Sequence, residues 1–108
     1  SKLSPIIIIG TGGIVKDAHL PAYKKAGFQV EGLYDVDKEK AKTLASQFGI
    51  SKVFDSFEDA FQNKNCIFDL ALPPANLLEV VKTLPENIYA VFQKLDVVHS
   101  YCIKLNPI

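Results

Sequence analysis

Gly10, Gly12 and Gly13 follow four consecutive isoleucines, Ile6–Ile9, and precede a stretch that reads as a helix. A glycine-rich turn from a buried strand into a helix gathers several backbone N–H groups around one point. The positive end of the helix dipole lies there as well, so the point suits a phosphate. Gly10-x-Gly12 followed by x-x-Val15 is close to the dinucleotide fingerprint G-x-G-x-x-G/A. In that pattern the first glycine permits the tight turn, the second admits a pyrophosphate, and the third lets helix and strand pack closely. Val15 stands in the third place, so the helix must sit farther off or Gly13 must relieve the crowding. Such a turn also occurs as plain structure, and other residues have to decide between the two.

Asp35 is the first of these. It ends the run Phe28–Tyr34 at about the separation from the glycines where a carboxylate meets the adenosine ribose. The same position suits an ordinary turn aspartate, with Asp37 as the helix cap. A carboxylate there repels a 2′-phosphate and favours NAD, while Lys38 and Lys40 keep NADP open. Leu72-Pro73-Pro74 stops another apolar run at what should be the carboxyl edge of a sheet, where open α/β sheets bind ligands. Asp69 interrupts that run and calls for a partner near the edge or a raised pKa.

The remaining reactive side chains are sparse. Cys66 and Cys102 have neither C-x-x-C nor Cys/His spacing and are expected to be reduced, partly buried thiols. His19 and His99 are the only two histidines, so no multi-histidine metal site is expected within one chain. His99 and Tyr101 are acid/base types, but nothing in the sequence sets them beside a cofactor.

The elements that must position these groups alternate. The unbroken apolar run at Ile6–Ile9 suits a parallel strand buried on both faces. A helix opening near Gly12 is interrupted by Pro21, which can start a second piece, Pro21–Ala26, stopped by Gly27. A strand at Phe28–Tyr34 leads to a helix capped by Asp37, with Ala41, Leu44, Ala45 and Phe48 on one stripe and Gly49 at its end. A short strand over Lys52–Phe54 precedes Ser56-x-x-Asp59, a relative of the capping box, and a helix with Phe57, Ala60 and Phe61 on one face. Then come a strand over Ile67–Leu72, a helix over Asn76–Leu84 and a strand over Ile88–Phe92. This alternation predicts an α/β, Rossmann-type doubly wound parallel sheet of about five strands, order 3-2-1-4-5, with helices on both faces. Tyr101–Leu105 can add a strand, but no crossover of helix length precedes it, so an antiparallel edge strand or a loose tail is expected.

At 108 residues with zero formal net charge, twelve scattered lysines and no arginine, the chain is at most one domain without a concentrated basic field. That argues against nucleic acid and anionic membrane as partners. No apolar run approaches a bilayer span and no signal peptide is recognisable, so the expected location is cytoplasmic.

Taken together, Ile6–Ala22, Gly32–Asp37, Ala41–Gly49, Phe54–Phe61, Leu70–Pro74 and Ala90–Lys94 resemble the N-terminal domain of the Gfo/Idh/MocA oxidoreductases, the glucose–fructose oxidoreductase and inositol dehydrogenase family. The His19-Leu20-Pro21-Ala22 run and the Tyr34–Asp37 segment carry much of the likeness. The resemblance implies a dinucleotide-binding domain over residues 1–94 and a nicotinamide-dependent enzyme acting on sugars, cyclitols or related small molecules. By the same likeness, backbone around Thr11, Gly12, Gly13 and Ile14 would hold the pyrophosphate, with Gly10 as the cofactor-site turn glycine and Ile14 beside the nicotinamide half. Asp35 would hold the adenosine ribose, and Leu72, Pro73 and Pro74 would border the nicotinamide ribose. Lys94 falls on the lysine of the family's E-K-P motif, which positions or polarises the substrate, and is the candidate catalytic residue. Here the motif reads Gln93-Lys94-Leu95, and Leu77 replaces a usual histidine.

Members continue into a second, α+β domain with the substrate pocket and acid/base. Residues 95–108 look like a divergent tail instead, so the chain is expected to bind cofactor without efficient turnover. Bare apolar surface could pair copies of the chain. Two other readings use the same turn: a non-catalytic NAD-sensing or interaction domain, and an S-adenosylmethionine-dependent methyltransferase. The latter normally has an acidic residue just ahead of the glycines, where Ile8 and Ile9 stand. A P-loop is excluded because no G-x-x-x-x-G-K-[ST] occurs.

Overall fold

The computed structural model describes residues 4–85, 88–93 and 100–104. In chain order its elements are β1 (Ile6–Ile9), a π-helical turn (Val15–His19) continuing into α1 (Leu20–Ala26), β2 (Val30–Tyr34), α2 (Lys38–Phe48) and β3 (Lys52–Val53). Next come α3 (Phe57–Phe61), β4 (Ile67–Leu70), α4 (Pro74–Thr83), β5 (Tyr89–Gln93) and β6 (Ser100–Lys104). The six strands form one sheet, order β3-β2-β1-β4-β5-β6. The first five pair in parallel, and β6 runs antiparallel along β5, with Val91 opposite Cys102 and Phe92 opposite Tyr101. This is the Rossmann-like order 3-2-1-4-5, with the edge strand that the tail allowed.

The four isoleucines of β1 explain why it is central. Ile6 and Ile8 face the layer made by α1 and α2, packing with Val15, Leu20, Leu33, Leu44 and Ala45. Ile7 and Ile9 face the α3 and α4 layer, packing with Ala60, Phe61, Phe68, Leu70 and Val80. All four are at most 3% exposed, so truncating any one to alanine costs about 2–5 kcal/mol.

Local signals set the element ends. Gly27 takes φ +83° at the end of α1, and the amide of Phe28 bonds back to the Tyr23 carbonyl at 3.0 Å. Closing the helix in this way uses Phe28, so β2 starts at Val30 rather than Phe28. Asp37 caps α2 by accepting from the Lys40 amide at 3.2 Å, and Ser56 caps α3 by accepting from the Asp59 amide at 3.1 Å. β4 ends at Leu70, two residues before the expected stop. The amide of Ala71 still reaches the Ile9 carbonyl at 2.9 Å, but Pro73 and Pro74 have no N–H to continue the ladder. Pro74 is instead the first residue of α4.

Candidate functional site

β1 ends between the tips of β2 and β4, and Gly10 is the residue that lets it turn there. Its φ is +103°, and an added Cβ would lie 2.4 Å from the Ala71 carbonyl oxygen. Its amide donates to the Tyr34 carbonyl at 2.7 Å. The turn therefore needs glycine twice over, for backbone conformation and for closeness to β4. Gly12 is different. It has no left-handed φ, and a Cβ built there meets no protein atom within 4 Å. Nothing in the fold demands glycine at Gly12, so the space its hydrogen leaves faces outward.

Thr11, between them, is 4% exposed and tied to Asp35. Its amide and its hydroxyl both donate to Asp35 Oδ2, at 2.8 and 2.7 Å. Asp35 Oδ1 accepts from the Asp37 amide at 2.8 Å. Burial pushes the Asp35 carboxyl upward, but the Asp37 amide, the two Thr11 donors and the Lys40 charge outweigh it and hold the group below its usual range. Asp35 is thus an anion at neutral pH with three of about four acceptor positions in use. The free position is on Oδ1.

Beyond Thr11 the chain enters the helix at Gly13, and the amides of Val15 and Lys16 turn back onto the Gly12 carbonyl at 3.1 and 3.3 Å. Among the described residues, the amides of Gly12, Gly13 and Ile14 have no acceptor. They are the orphan donors that every helix start presents, and they make a positive concave end. Val15 is fully buried, and the π-helical turn begins at it. Gly13 has open space around it, so the wider turn accommodates the valine rather than relief at Gly13.

These groups line one cleft of about 470 Å³. Gly10, Thr11, Gly12 and Asp35 form one wall, and Ala71, Leu72 and Pro73 form another. Tyr34, Val36 and Phe57 give it apolar and aromatic surface, while Asn76, Glu79 and Val80 of α4 close the far side. A shallower depression of about 330 Å³ adjoins it, holding Gly13, Lys16, Lys40 and Thr43 beside Thr11 and Gly12. Ile14 is 51% exposed at the helix start. The structure therefore brings together Gly10, Thr11, Gly12, Asp35, Leu72 and Pro73, with Gly13 and Ile14 adjoining. Pro74 enters only as the first residue of α4. Lys94 and His99 lie outside the described residues. The α3 and α4 residues of the cleft were missed from sequence, because only the crossover brings those helices to this edge. Among the described residues no cluster of metal-ligating side chains occurs, and no helix is long and apolar enough to cross a membrane.

A parallel sheet with a glycine-turned first strand, open helix-start amides and an acidic tip on the second strand defines a Rossmann domain of the dinucleotide-binding class. Residues 5–94 match the Gfo/Idh/MocA family model, described as an oxidoreductase family with an NAD-binding Rossmann fold, and the chain belongs to that family. Among solved structures it is similar to an oxidoreductase from Thermotoga maritima, at 27% identity and TM-score 0.75, over 86% of this chain and 30% of that one. A dehydrogenase from Clostridium difficile shares the fold at 24% identity and TM-score 0.67, over 86% of this chain and 31% of that one. So does an NAD-binding protein from Listeria innocua, at 23% identity and TM-score 0.64, over 86% and 28% of the two chains. The chain thus spans about a third or less of the length of each of these relatives. No curated protein matches it in sequence. The adenosylmethionine reading has no support among these relatives.

Proposed function

We propose that the cleft at the carboxyl edge of the sheet holds NAD, with NADP as the secondary form, as the cofactor half of an oxidoreductase. The observation that carries this reading is the conjunction at Gly12: three unbonded amides and room for a ligand atom, beside a carboxylate with one acceptor position left. The pyrophosphate sits on the amides of Gly12, Gly13 and Ile14. The adenosine ribose donates a hydroxyl to Asp35 Oδ1, and the adenine packs among Val36, Phe57 and Val80. Leu72, Pro73 and Pro74 border the nicotinamide ribose. When bound, the cofactor supplies hydride chemistry at nicotinamide C4, and the protein's contribution is to orient it.

The substrate class is a sugar, cyclitol or related small carbinol or carbonyl compound. Lys94, directly after the last residue of β5, positions or polarises it. Residues 1–94 are the cofactor domain, in a cytoplasmic protein, and this chain by itself binds without efficient turnover, since among the described residues none is assigned as a general base. Calorimetric titration with NAD, NADP and S-adenosylmethionine tests the reading. NAD is expected to bind most tightly, and the absence of any dinucleotide binding would sink it. Rapid NADH formation with a panel of polyols would overturn the expectation of no turnover.

A further inference from the structure

Asp69 is a carboxylate in the middle of a parallel sheet, 3% exposed, in register with Ile8 on one side and Val91 on the other. A buried carboxylate is costly unless paired, and the first helix supplies its partners. Tyr23 donates its hydroxyl to Asp69 Oδ2 at 2.7 Å, and His19 Nδ1 lies 2.9 Å from the same oxygen. His19 and Tyr23 are four residues apart on one helix face, and their rings meet edge to face with centroids 6.4 Å apart. His19 Nδ1 is buried, and its contact with Asp69 becomes an ion pair when the imidazole is protonated.

The placement of the cluster matters more than its strength. His19 is the last residue of the π-helical turn that starts at Val15, directly after the amides of Gly12, Gly13 and Ile14. Asp69 is in the strand that runs out into Leu72 and Pro73, the opposite wall of the cleft. One carboxylate oxygen therefore joins the two walls between which the cofactor must fit. We propose that His19, Tyr23 and Asp69 form a latch that sets the spacing of the phosphate-binding turn from the tip of β4, and that protonation of His19 tightens it. They are positioning residues, and for its effect on nucleotide the latch rests on the dinucleotide reading above.

The charge state responds near neutrality. The close Asp69 oxygen raises the His19 pKa above its ordinary 6.5, against burial, which lowers it. Among the described residues, the groups facing His19 are Asp69 from β4 and Tyr23 from its own helix. β1 presents isoleucines, and β5 sets Val91 beside Asp69. Tyr23 stays neutral because burial, then the Asp69 charge and hydrogen bond, push its hydroxyl well upward. His19 is thus the member that changes charge.

The test is nuclear magnetic resonance on the nucleotide-free chain from pH 5.5 to 8.5, following the His19 ring and the amides of Gly12, Gly13 and Ile14. The amides are expected to shift with the same midpoint as the ring, above 6.5, and to lose that titration in His19→Gln. Asp69→Asn, which keeps the shape and removes the charge, is expected to return the His19 midpoint to 6.5 or below. Amides that stay still while the ring titrates, or that titrate unchanged in His19→Gln, overturn the latch. A second arm measures NAD affinity over the same range, expected to weaken about fivefold as His19 loses its proton. PH-independent NAD binding with silent amides removes the latch and leaves the cofactor reading intact. Amides that follow His19 in a chain that binds no NAD do the reverse.

Discussion

Gly10 and Gly12 are two residues apart in one motif, and the same substitution should fail at them in opposite ways. Alanine at Gly10 has to hold φ +103°, outside the region an L-residue favours, at about 1–2 kcal/mol. Its methyl would also stand 2.4 Å from the Ala71 carbonyl oxygen, an overlap with backbone that must open the β1–β4 edge, at about 1–3 kcal/mol more. The sum, about 2–5 kcal/mol, is a large part of the stability of a domain this size and lowers Tm by on the order of 10–20 °C. Alanine at Gly12 meets nothing within 4 Å and no unfavourable φ, so its stability should stay within about 0.5 kcal/mol of wild type. Its methyl does occupy the space assigned to the pyrophosphate, and NAD affinity should drop about tenfold to a hundredfold, or about 1.4–2.8 kcal/mol. Thermal unfolding and calorimetric titration of both variants separate the two effects. A Gly12→Ala protein that binds NAD like wild type refutes the placement of the phosphate. A Gly10→Ala protein as stable as wild type refutes the packing of the turn.

Asp35→Ala should weaken NAD binding about tenfold or more by calorimetry, the loss of one charged hydrogen bond with disorder of the turn added. Thr11→Val removes only the hydroxyl donor to Asp35, so it should cost less affinity than Asp35→Ala, and an equal loss would mean that Asp35 acts only through the turn. Because the folded His19 pKa is raised, its stabilisation is complete below the unfolded value of 6.5 and is lost as pH rises through the folded value. Urea midpoints should therefore fall over that interval in wild type and stay level in His19→Gln. The Asp35 shift has the opposite sign: its stabilisation is present above 3.8 and disappears as pH falls through the lowered folded value. Burial raises the Cys66 thiol, so it should be alkylated far more slowly in native protein than in urea, and equal rates would show the start of β4 to be open.

Much of the fold was legible because its signals are local. Ile6–Ile9, the Asp37 and Ser56 caps, and Gly27 and Gly49 as helix stops all act within a few residues, and each stands where the pattern set it. The strand ends drifted where a neighbouring element competed for the same backbone, as Phe28 shows by closing α1 instead of opening β2. Among the residues that line the cleft, Gly10, Gly12, Asp35, Leu72 and Pro73 were legible because they follow strand ends, and Thr11 came from the family resemblance. Phe57, Asn76 and Glu79 were not, since which helices overhang the edge depends on the crossovers from β3 to β4 and from β4 to β5. Asp69 was visible as an anomaly, but its partners lie 46 residues or more away in sequence, and no periodicity links them.

The bond between Thr11 and Asp35 bears on how the site works, because it uses a loop amide that a phosphate could otherwise take. Two physical consequences follow. The carboxylate fixes the turn before any ligand arrives, so the entropy of ordering it is not charged to binding. Among the described residues, the three amides beyond Thr11 have no protein acceptor and stay open to a ligand. A turn ordered by Asp35, with His19 of the following helix 2.9 Å from Asp69 of β4, is held by charged groups as well as by packing. Its geometry should therefore respond to pH and ionic strength more than the four isoleucine side chains of β1 beneath it, which are buried and uncharged.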